Sequence, residues 1–531
     1  MNNTLQMKIS TLKILCLILI SLSSFNLNAQ NRFSNDATLK KIYTFQYNQE
    51  TDSLKKHFLH PNPIYREAAC LAFASVQNNE IEVDFLFLLM NEQSVQVRKA
   101  IIYSLGQLTS TQASEVLLRG FENETDTLNQ LFCLEAIAKT CKVSSMVNKL
   151  FKNYQYNTNN KAFMLSYWRA LYFAKRNKTI DVEDETIKSI IDKLGFSNDP
   201  RAAAIYRFLY ANTNQVEATN FPQDKVKYQS FEDLNNGLKS ISSPYLQLDF
   251  LKKTACDDKQ LLGLAYSNHH SLIRYFALDV YIKKHWQMVG WNEKINSDLI
   301  NKVFASGDVA LISRIAEYVK EQNFAKRQIV VSKESLIEVQ KTLVLPRDFE
   351  TWIDLEKAIL SFDGKKHQYQ SYFTTGYQNP IDWNFIVKVP QNQKVKIKTN
   401  KGDIIIECKV NEAPASVANF LKLVDSGYYD GKYFHRMVPN FVVQGGCPRG
   451  DGWGSLNWNQ RSEFSNYLTY QPGSVGLASV GKDSEGVQFF ITHTFTQNLD
   501  GRYTIFAEVV QGMDIVNQLL VGDVILKVER F

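Results

Sequence analysis

Apolar residues recur at helical spacing through the first two thirds of this 531-residue chain. From about Arg32 to Leu345 prolines and glycines are few and no stretch alternates like a strand, so the pattern predicts one helix after another. Two windows superpose: IYREAACLAFASV from Ile64 to Val76, and QVRKAIIYSLGQL from Gln96 to Leu108. Arg66 aligns with Arg98, Ala68 with Ala100 and Val76 with Leu108, a step of 32 residues from 66 to 98. A further step reaches QLFCLEAIAKTC, Gln130 to Cys141, where Ala136 and Ile137 replace Ser104 and Leu105. PRAAAIYRFLY from Pro200 and SLIRYFALDVYIKK from Ser271 are weaker echoes. One helical hairpin cannot bury its apolar stripe, whereas stacked copies close one another's cores.

This array, residues 30–345, resembles an all-α HEAT-like solenoid. Its step is shorter than the roughly 40 residues of HEAT units, which leaves an unspecialised helical bundle as the second reading. Arg66 and Arg98 read as ties between repeats. Past residue 390 the period changes. KVKIKTNKGDIIIECKV, Lys394 to Val410, alternates as two strands joined at Asn400 to Gly402, and APASVANFLKLVDSG, Ala413 to Gly427, is helical and stops at a glycine. Residues 346–389 read as an ordered linker with one more helix near Leu355 to Leu360. Its Trp352, Trp383 and Phe385 are too apolar to leave in water, so it should lie along one of the flanking domains.

The chemistry sits in three short segments: FHRMVPNFVVQGG from Phe434 to Gly446, GVQFFIT from Gly486 to Thr492, and LDGRYTIF from Leu499 to Phe506. Together, in this order and within about a hundred residues, the size of one domain, they resemble a cyclophilin-type peptidyl-prolyl cis-trans isomerase spanning 390–531. The resemblance implies a closed β-barrel and an enzyme without metal or cofactor. It makes Arg436 the catalytic arginine and Gln444 the amide that orients it. Phe441, Val442, Ala478, Ser479, Gln488, Phe490, Leu499 and Tyr503 become the substrate-binding residues. Tyr503 stands where many relatives carry His, Ser479 where many carry Asn, and Asn498 where eukaryotic members place a cyclosporin-binding Trp.

Such a site suits the bond. Rotation about a peptide bond meets a barrier of roughly 18–20 kcal/mol, and at X-Pro the two planar forms lie close in energy yet interchange over roughly tens to hundreds of seconds. A catalyst must favour the twisted amide, whose nitrogen regains a lone pair, over either planar form. A greasy socket for the ring and a fixed cationic donor beside it would do so. Arg436 follows Phe434 by two positions, as on one strand face, and carries a rigid, permanently charged fork. The run Gly445, Gly446, Gly450, Gly452, Gly454 is not a phosphate loop, since no Lys-Ser/Thr closes it. His269 and His270 are adjacent and therefore a poor metal pair.

The first residues change the picture once more. Lys8 and Lys13 precede an apolar core from Ile14 to Leu22 and a polar exit at Asn28, Ala29 and Gln30, which reads as a secretory signal, residues 1–29, cleaved after Ala29. The core is too short to span a bilayer, for which about 20 residues are needed. The expected location is the bacterial periplasm. The formal net charge of +6 loses two lysines with the signal, too mild a balance to argue for nucleic acid. Cys70, Cys133, Cys141, Cys256, Cys408 and Cys447 form no C-x-x-C pair and read as small buried hydrophobes. The expected partners are proline-containing polypeptide clients, with a protein partner on the solenoid as well. The competing reading is a non-catalytic proline-peptide-binding module on a solenoid scaffold.

Overall fold

The structure, a computed structural model, describes residues 30–108, 110–153, 161–181, 185, 205, 226–285, 293–322, 331–367 and 379–531. The expected signal lies outside these residues, as does the echo from Pro200 except for Ile205. The helical pattern resolves into two blocks. The first runs from helix Ala37–Asn48 to helix Lys161–Arg176 around a core that includes Phe73, Phe85, Ile101, Leu134 and Trp168. The second runs from helix Phe231–Lys239 to helix Phe349–Phe362, with Leu264, Ile282, Ile312 and Leu355 at its centre. That last helix lies within the stretch read as a linker. A two-residue parallel ladder, β1 (Val226–Lys227) with β2 (Thr254–Ala255), enters the second block.

The 32-residue step is visible atom by atom in the first block. Asn62, Ser94 and Asp126 are the N-caps of helices Pro63–Val76, Val95–Leu105 and Thr127–Thr140, each side chain accepting a backbone N–H of the first turn. Arg66 grips Glu92 with two nitrogens at 2.7 and 2.9 Å and donates to the carbonyls of His60 and Pro61. Arg98 repeats this on Glu124 at 2.9 and 2.8 Å and on the carbonyls of Glu92 and Gln93. One step on, Gln130 keeps the backbone half of the motif and donates to Glu124 O at 2.7 Å. Each arginine therefore joins its own helix entry to the loop that leads into the next repeat. In the second block the comparable pairs, Arg274–Asp308 and Arg314–Asp279, no longer fall at that step.

The C-terminal domain holds eight strands: β3 (Lys394–Thr399), β4 (Gly402–Cys408), β5 (Phe434–Val438), β6 (Val442–Gly445), β7 (Ser474–Leu477), β8 (Phe489–Thr492), β9 (Ile505–Gln511) and β10 (Ile525–Arg530). They pair antiparallel in the order β10-β3-β4-β9-β7-β8-β6-β5. The expected closed barrel is corrected here to a curled, open sheet. Its edge strands β5 and β10 meet only at their first residues, around the isolated bridge Tyr433↔Val524, where Phe434 N donates to Asp523 O at 2.9 Å and Ile525 N to Lys432 O at 2.8 Å. Gly431 (φ +74°) and Gly522 (φ +95°) turn the chain on either side of that bridge, and the short run of hydrogen bonds ends with theirs to Ile525 O and Phe434 O. Inside the curl, Val395, Ile397, Ile404 and Ile406 meet Phe489 and Phe506, and helix Pro414–Asp425 covers them with Phe420 and Leu421. Ile386 and Val389 belong to the same core.

Contacts with this domain are spread over the helical region from Asn31 to Arg347. Asn31 donates to the carbonyls of Ile386 and Val389 at 2.8 and 2.7 Å, and Trp383 donates to Thr44 Oγ1 at 3.0 Å while packing against Phe33. Ser75 Oγ accepts Phe464 N at 3.0 Å, and Arg169 pairs with Asp500 at 2.7 Å. Tyr245 bonds Gly450 O, Ser271 bonds Asp451, Asp308 pairs with Arg449 at 2.9 Å, and Arg347 O accepts Ser455 N at 3.1 Å. No helix among the described residues is long and apolar enough to cross a membrane. All six described cysteines are free thiols, five of them buried.

Candidate active site

Strand alternation sorts the motif residues onto two faces. Val443, Phe489 and Ile491 enter the core of the curl. Their neighbours Val442, Gln444 and Phe490 therefore face the other way. β6 lies between β5 and β8, which sets Arg436 opposite Gln444 and Gln444 opposite Phe490. A register shift between Phe434 and Arg436 leaves His435 without a ladder partner, so Arg436 does not share the face of Phe434 as its spacing suggested but is exposed on the opposite one.

Beside this row is a small second apolar cluster. Val442, Tyr470, Phe490, Leu499 and Ile505 are buried in it, with Phe441, Leu468, Ala478 and Tyr503 packed around them. Tyr470 stacks on Phe490 at 5.6 Å between centroids, and Tyr503 meets the same ring edge-on at 5.8 Å. Gly476 lies beneath. A Cβ there would run into Tyr470 Oη and the tip of Phe490, so the absent side chain is what lets the two rings settle.

Polar groups form one line along the rim. Arg436 Nη1 donates to Gln444 Oε1 at 3.5 Å, Gln444 Nε2 donates to Gln488 Oε1 at 3.0 Å, and Gln488 Nε2 donates to the carbonyls of Gly452 and Gly454 at 3.0 and 3.2 Å. Every amide is thus oriented by a fixed backbone end, and the glycine run supplies acceptors rather than a phosphate cradle. Arg436 has no ion pair among the described residues, so its outer N–H groups face solvent. Behind it, burial pushes His435 down to about 4, so the ring next to the guanidinium is neutral at physiological pH.

The structure brings Arg436, Phe441, Val442, Gln444, Ala478, Gln488, Phe490, Leu499 and Tyr503 together at one socket and rim. Ser479 lies one residue beyond, its buried hydroxyl without a hydrogen-bond partner. Asn498 O accepts a long 3.4 Å bond from Arg176 of the helical region. Sequence reasoning missed Tyr470, Leu468 and Gly476, which come from a stretch that carries no recognisable motif; Ile505 could have been found by reading the third segment to its end. Among the described residues no group of three His, Cys, Asp or Glu side chains could hold a metal. The arrangement offers an aromatic socket for a compact ring and a held cation at its edge.

Comparison with known proteins agrees in extent. Residues 394–528 match the family model for "Cyclophilin type peptidyl-prolyl cis-trans isomerase/CLD". A peptidyl-prolyl cis-trans isomerase of Helicobacter pylori is 38% identical over 132 residues, 24% of this chain and 81% of that protein. Peptidyl-prolyl cis-trans isomerase B of Bacillus subtilis is 43% identical over 117 residues, 22% of this chain and 82% of that protein. The spliceosome-associated protein CWC27 homolog of Danio rerio is 42% identical over 144 residues, 26% of this chain and 30% of that protein.

Proposed function

The chain belongs to the cyclophilin-type peptidyl-prolyl cis-trans isomerases, and from that premise we propose that the socket around Phe490 and the rim at Arg436 carry out the isomerisation on flexible X-Pro segments of exported proteins. The proline ring occupies the space bounded by Phe441, Phe490, Leu499 and Tyr503. Arg436 then lies beside the ring nitrogen. As the amide twists, resonance is lost and the nitrogen gains a lone pair, which a guanidinium N–H can meet only in that state. Gln444 and Gln488 hold the fork in place, so little reorganisation accompanies the twist.

The observation that carries this reading is the line Arg436–Gln444–Gln488, anchored on backbone carbonyls at the edge of an apolar socket. Replacing Arg436 by Ala should lower kcat/KM on a short X-Pro peptide by about 100-fold, the loss typical of one preorganised donor. Because the side chain is exposed, the melting temperature should stay within about 2 °C. A parallel loss of activity and stability would reject the assignment. Peptide binding without isomerisation by the unaltered protein would instead favour the non-catalytic module.

Export rests on the segment Lys8 to Ala29, and the periplasm follows from it as the proposed compartment. The helical region, proposed as a HEAT-like solenoid, would hold a client chain or a protein partner beside the isomerase. Cell fractionation and N-terminal sequencing of the mature protein test the first. Refolding of a proline-limited protein, compared between the full chain and its isomerase domain, tests the second.

A further inference from the structure

The wall of the socket that carries Leu499 and Tyr503 is held from outside the isomerase domain. Leu499 ends a single helical turn, Gln497–Leu499, and its carbonyl accepts the N–H of Tyr503 at 3.3 Å. Between the two stands Asp500, buried, with each carboxylate oxygen engaged on a different element. Oδ1 accepts Tyr470 N at 2.7 Å, and Oδ2 accepts Arg169 Nη1 of helix Lys161–Arg176 at 2.7 Å. Tyr470 is the ring stacked on Phe490, so this one carboxylate joins two walls of the socket and ties both to the helical region.

Arg169 is itself fixed. Its Nε and Nη2 donate to the two oxygens of Glu135 at 2.9 and 2.8 Å, and Lys139 closes on Glu135 at 2.8 Å. The side chains of Arg169, Glu135 and Asp500 are 12%, 7% and 2% exposed, so the cluster is largely shielded from water. The two-point grip on Glu135 leaves the guanidinium one orientation, with its remaining edge on Asp500. Burial raises the Asp500 carboxyl, and the charge of Arg169 is the largest effect opposing it. Two neighbours meet the same loop: Arg176 Nη1 donates to Asn498 O at 3.4 Å, and the amide of Gln107 lies so close to Gly501 that a Cβ there would strike it.

We propose that Arg169 is a positioning residue for the isomerase: through Asp500 it sets the wall of Leu499 and Tyr503 against the proline ring, so that the helical region completes the socket. The proposal rests on the isomerase reading of that socket. The wall meets the ring in planar and twisted forms alike, so loosening it raises KM and lowers kcat/KM by the same factor while kcat holds. This separates Arg169 from Arg436, whose loss falls on kcat.

The test uses the full chain and a short X-Pro peptide, below the first melting transition of every variant, with isomerisation and peptide binding both measured. Arg169→Leu alone leaves Asp500 buried and unpaired, so it is compared with Arg169→Leu combined with Asp500→Asn. The asparagine keeps an acceptor for Tyr470 N without the charge, and Glu135 keeps Lys139. The paired variant should recover most of the melting temperature lost by Arg169→Leu, yet its KM should stay raised by about tenfold, within the roughly 100-fold that a misplacement of about 1 Å can cost. Arg98→Ala, which removes a buried tie of the same kind elsewhere in the helical region, should leave KM unchanged. Recovery of KM together with stability in the paired variant, or an equal rise of KM in Arg98→Ala, overturns the proposal and leaves the isomerase reading standing alone. Peptide binding without isomerisation by the unaltered protein, weakened in the paired variant and not in Arg98→Ala, would leave the positioning role standing and remove the isomerase reading.

Discussion

Gly476 sets the depth of the aromatic socket. Its missing side chain leaves room for the stacked rings of Tyr470 and Phe490, so Gly476→Ala should push Phe490 into the socket. Overpacking of this kind costs about 1–3 kcal/mol; the expected outcome is a lower melting temperature with a raised KM for X-Pro peptides, read by calorimetry and steady-state kinetics. His435 supplies a second prediction. Its folded value of about 4 lies below the usual 6.5, so its contribution to stability is complete above pH 6.5 and is lost as pH falls toward 4, on the order of 3 kcal/mol. Chemical denaturation across that window should show the unfolding free energy of the protein falling relative to that of His435→Gln. Since the ring is neutral throughout, kcat/KM should show no histidine limb between pH 6 and 8. Gln444 and Phe490 were legible in the sequence because they sit on short strands whose alternation assigns each residue a face, whereas Arg436 was legible from its motif alone, since the register shift at His435 turns it to the face opposite the one alternation gave it. Tyr470 was not, because it reaches the socket from the stretch between the motif segments, which carries no pattern of its own.

Among the elements, the arginine ties show how a repeat is held in register. Arg98 and Glu124 are almost wholly enclosed, with side chains 11% and 2% exposed. Removing one member leaves the other charge buried and unpaired, which costs about 3–5 kcal/mol. Arg98→Ala should therefore melt the first helical block well before the isomerase, giving two transitions by calorimetry where the unaltered protein shows tighter coupling. The repeat could be read from the sequence over Ile64 to Cys141 because caps, ties and apolar positions all recur together. Past Phe231 helices remained legible but their stacking did not, since ties such as Arg314–Asp279 keep no fixed spacing. The sheet offers a similar lesson. Its strands follow from alternation, whereas closure depends on two turn glycines at the edges, which no periodicity records.

Across the whole molecule, the isomerase core starts earlier than its motifs suggest. Ile386 is fully buried in that core and Val389 nearly so, and Trp383 reaches the first helical block as well as the isomerase. A fragment 390–531 cuts into this packing and one spanning 381–531 preserves it. At about 1.5–3 kcal/mol for each large side chain buried, the longer fragment should melt at least about 5 °C higher, as circular dichroism would show. The division into two halves was legible from the change of period; the seam between them was not, because its bonds join residues hundreds of positions apart. That separation has a consequence in time. Asn31 finds its acceptors 355 and 358 residues later in the chain, and Arg169 meets Asp500 only after 331 more. Synthesis proceeds from the N-terminus at about 5–20 residues per second, so the helices wait roughly twenty seconds or more with their future contact surface unfilled. During that interval the surface is open to whatever else is nearby, and the last 150 or so residues arrive at a seat already built for them.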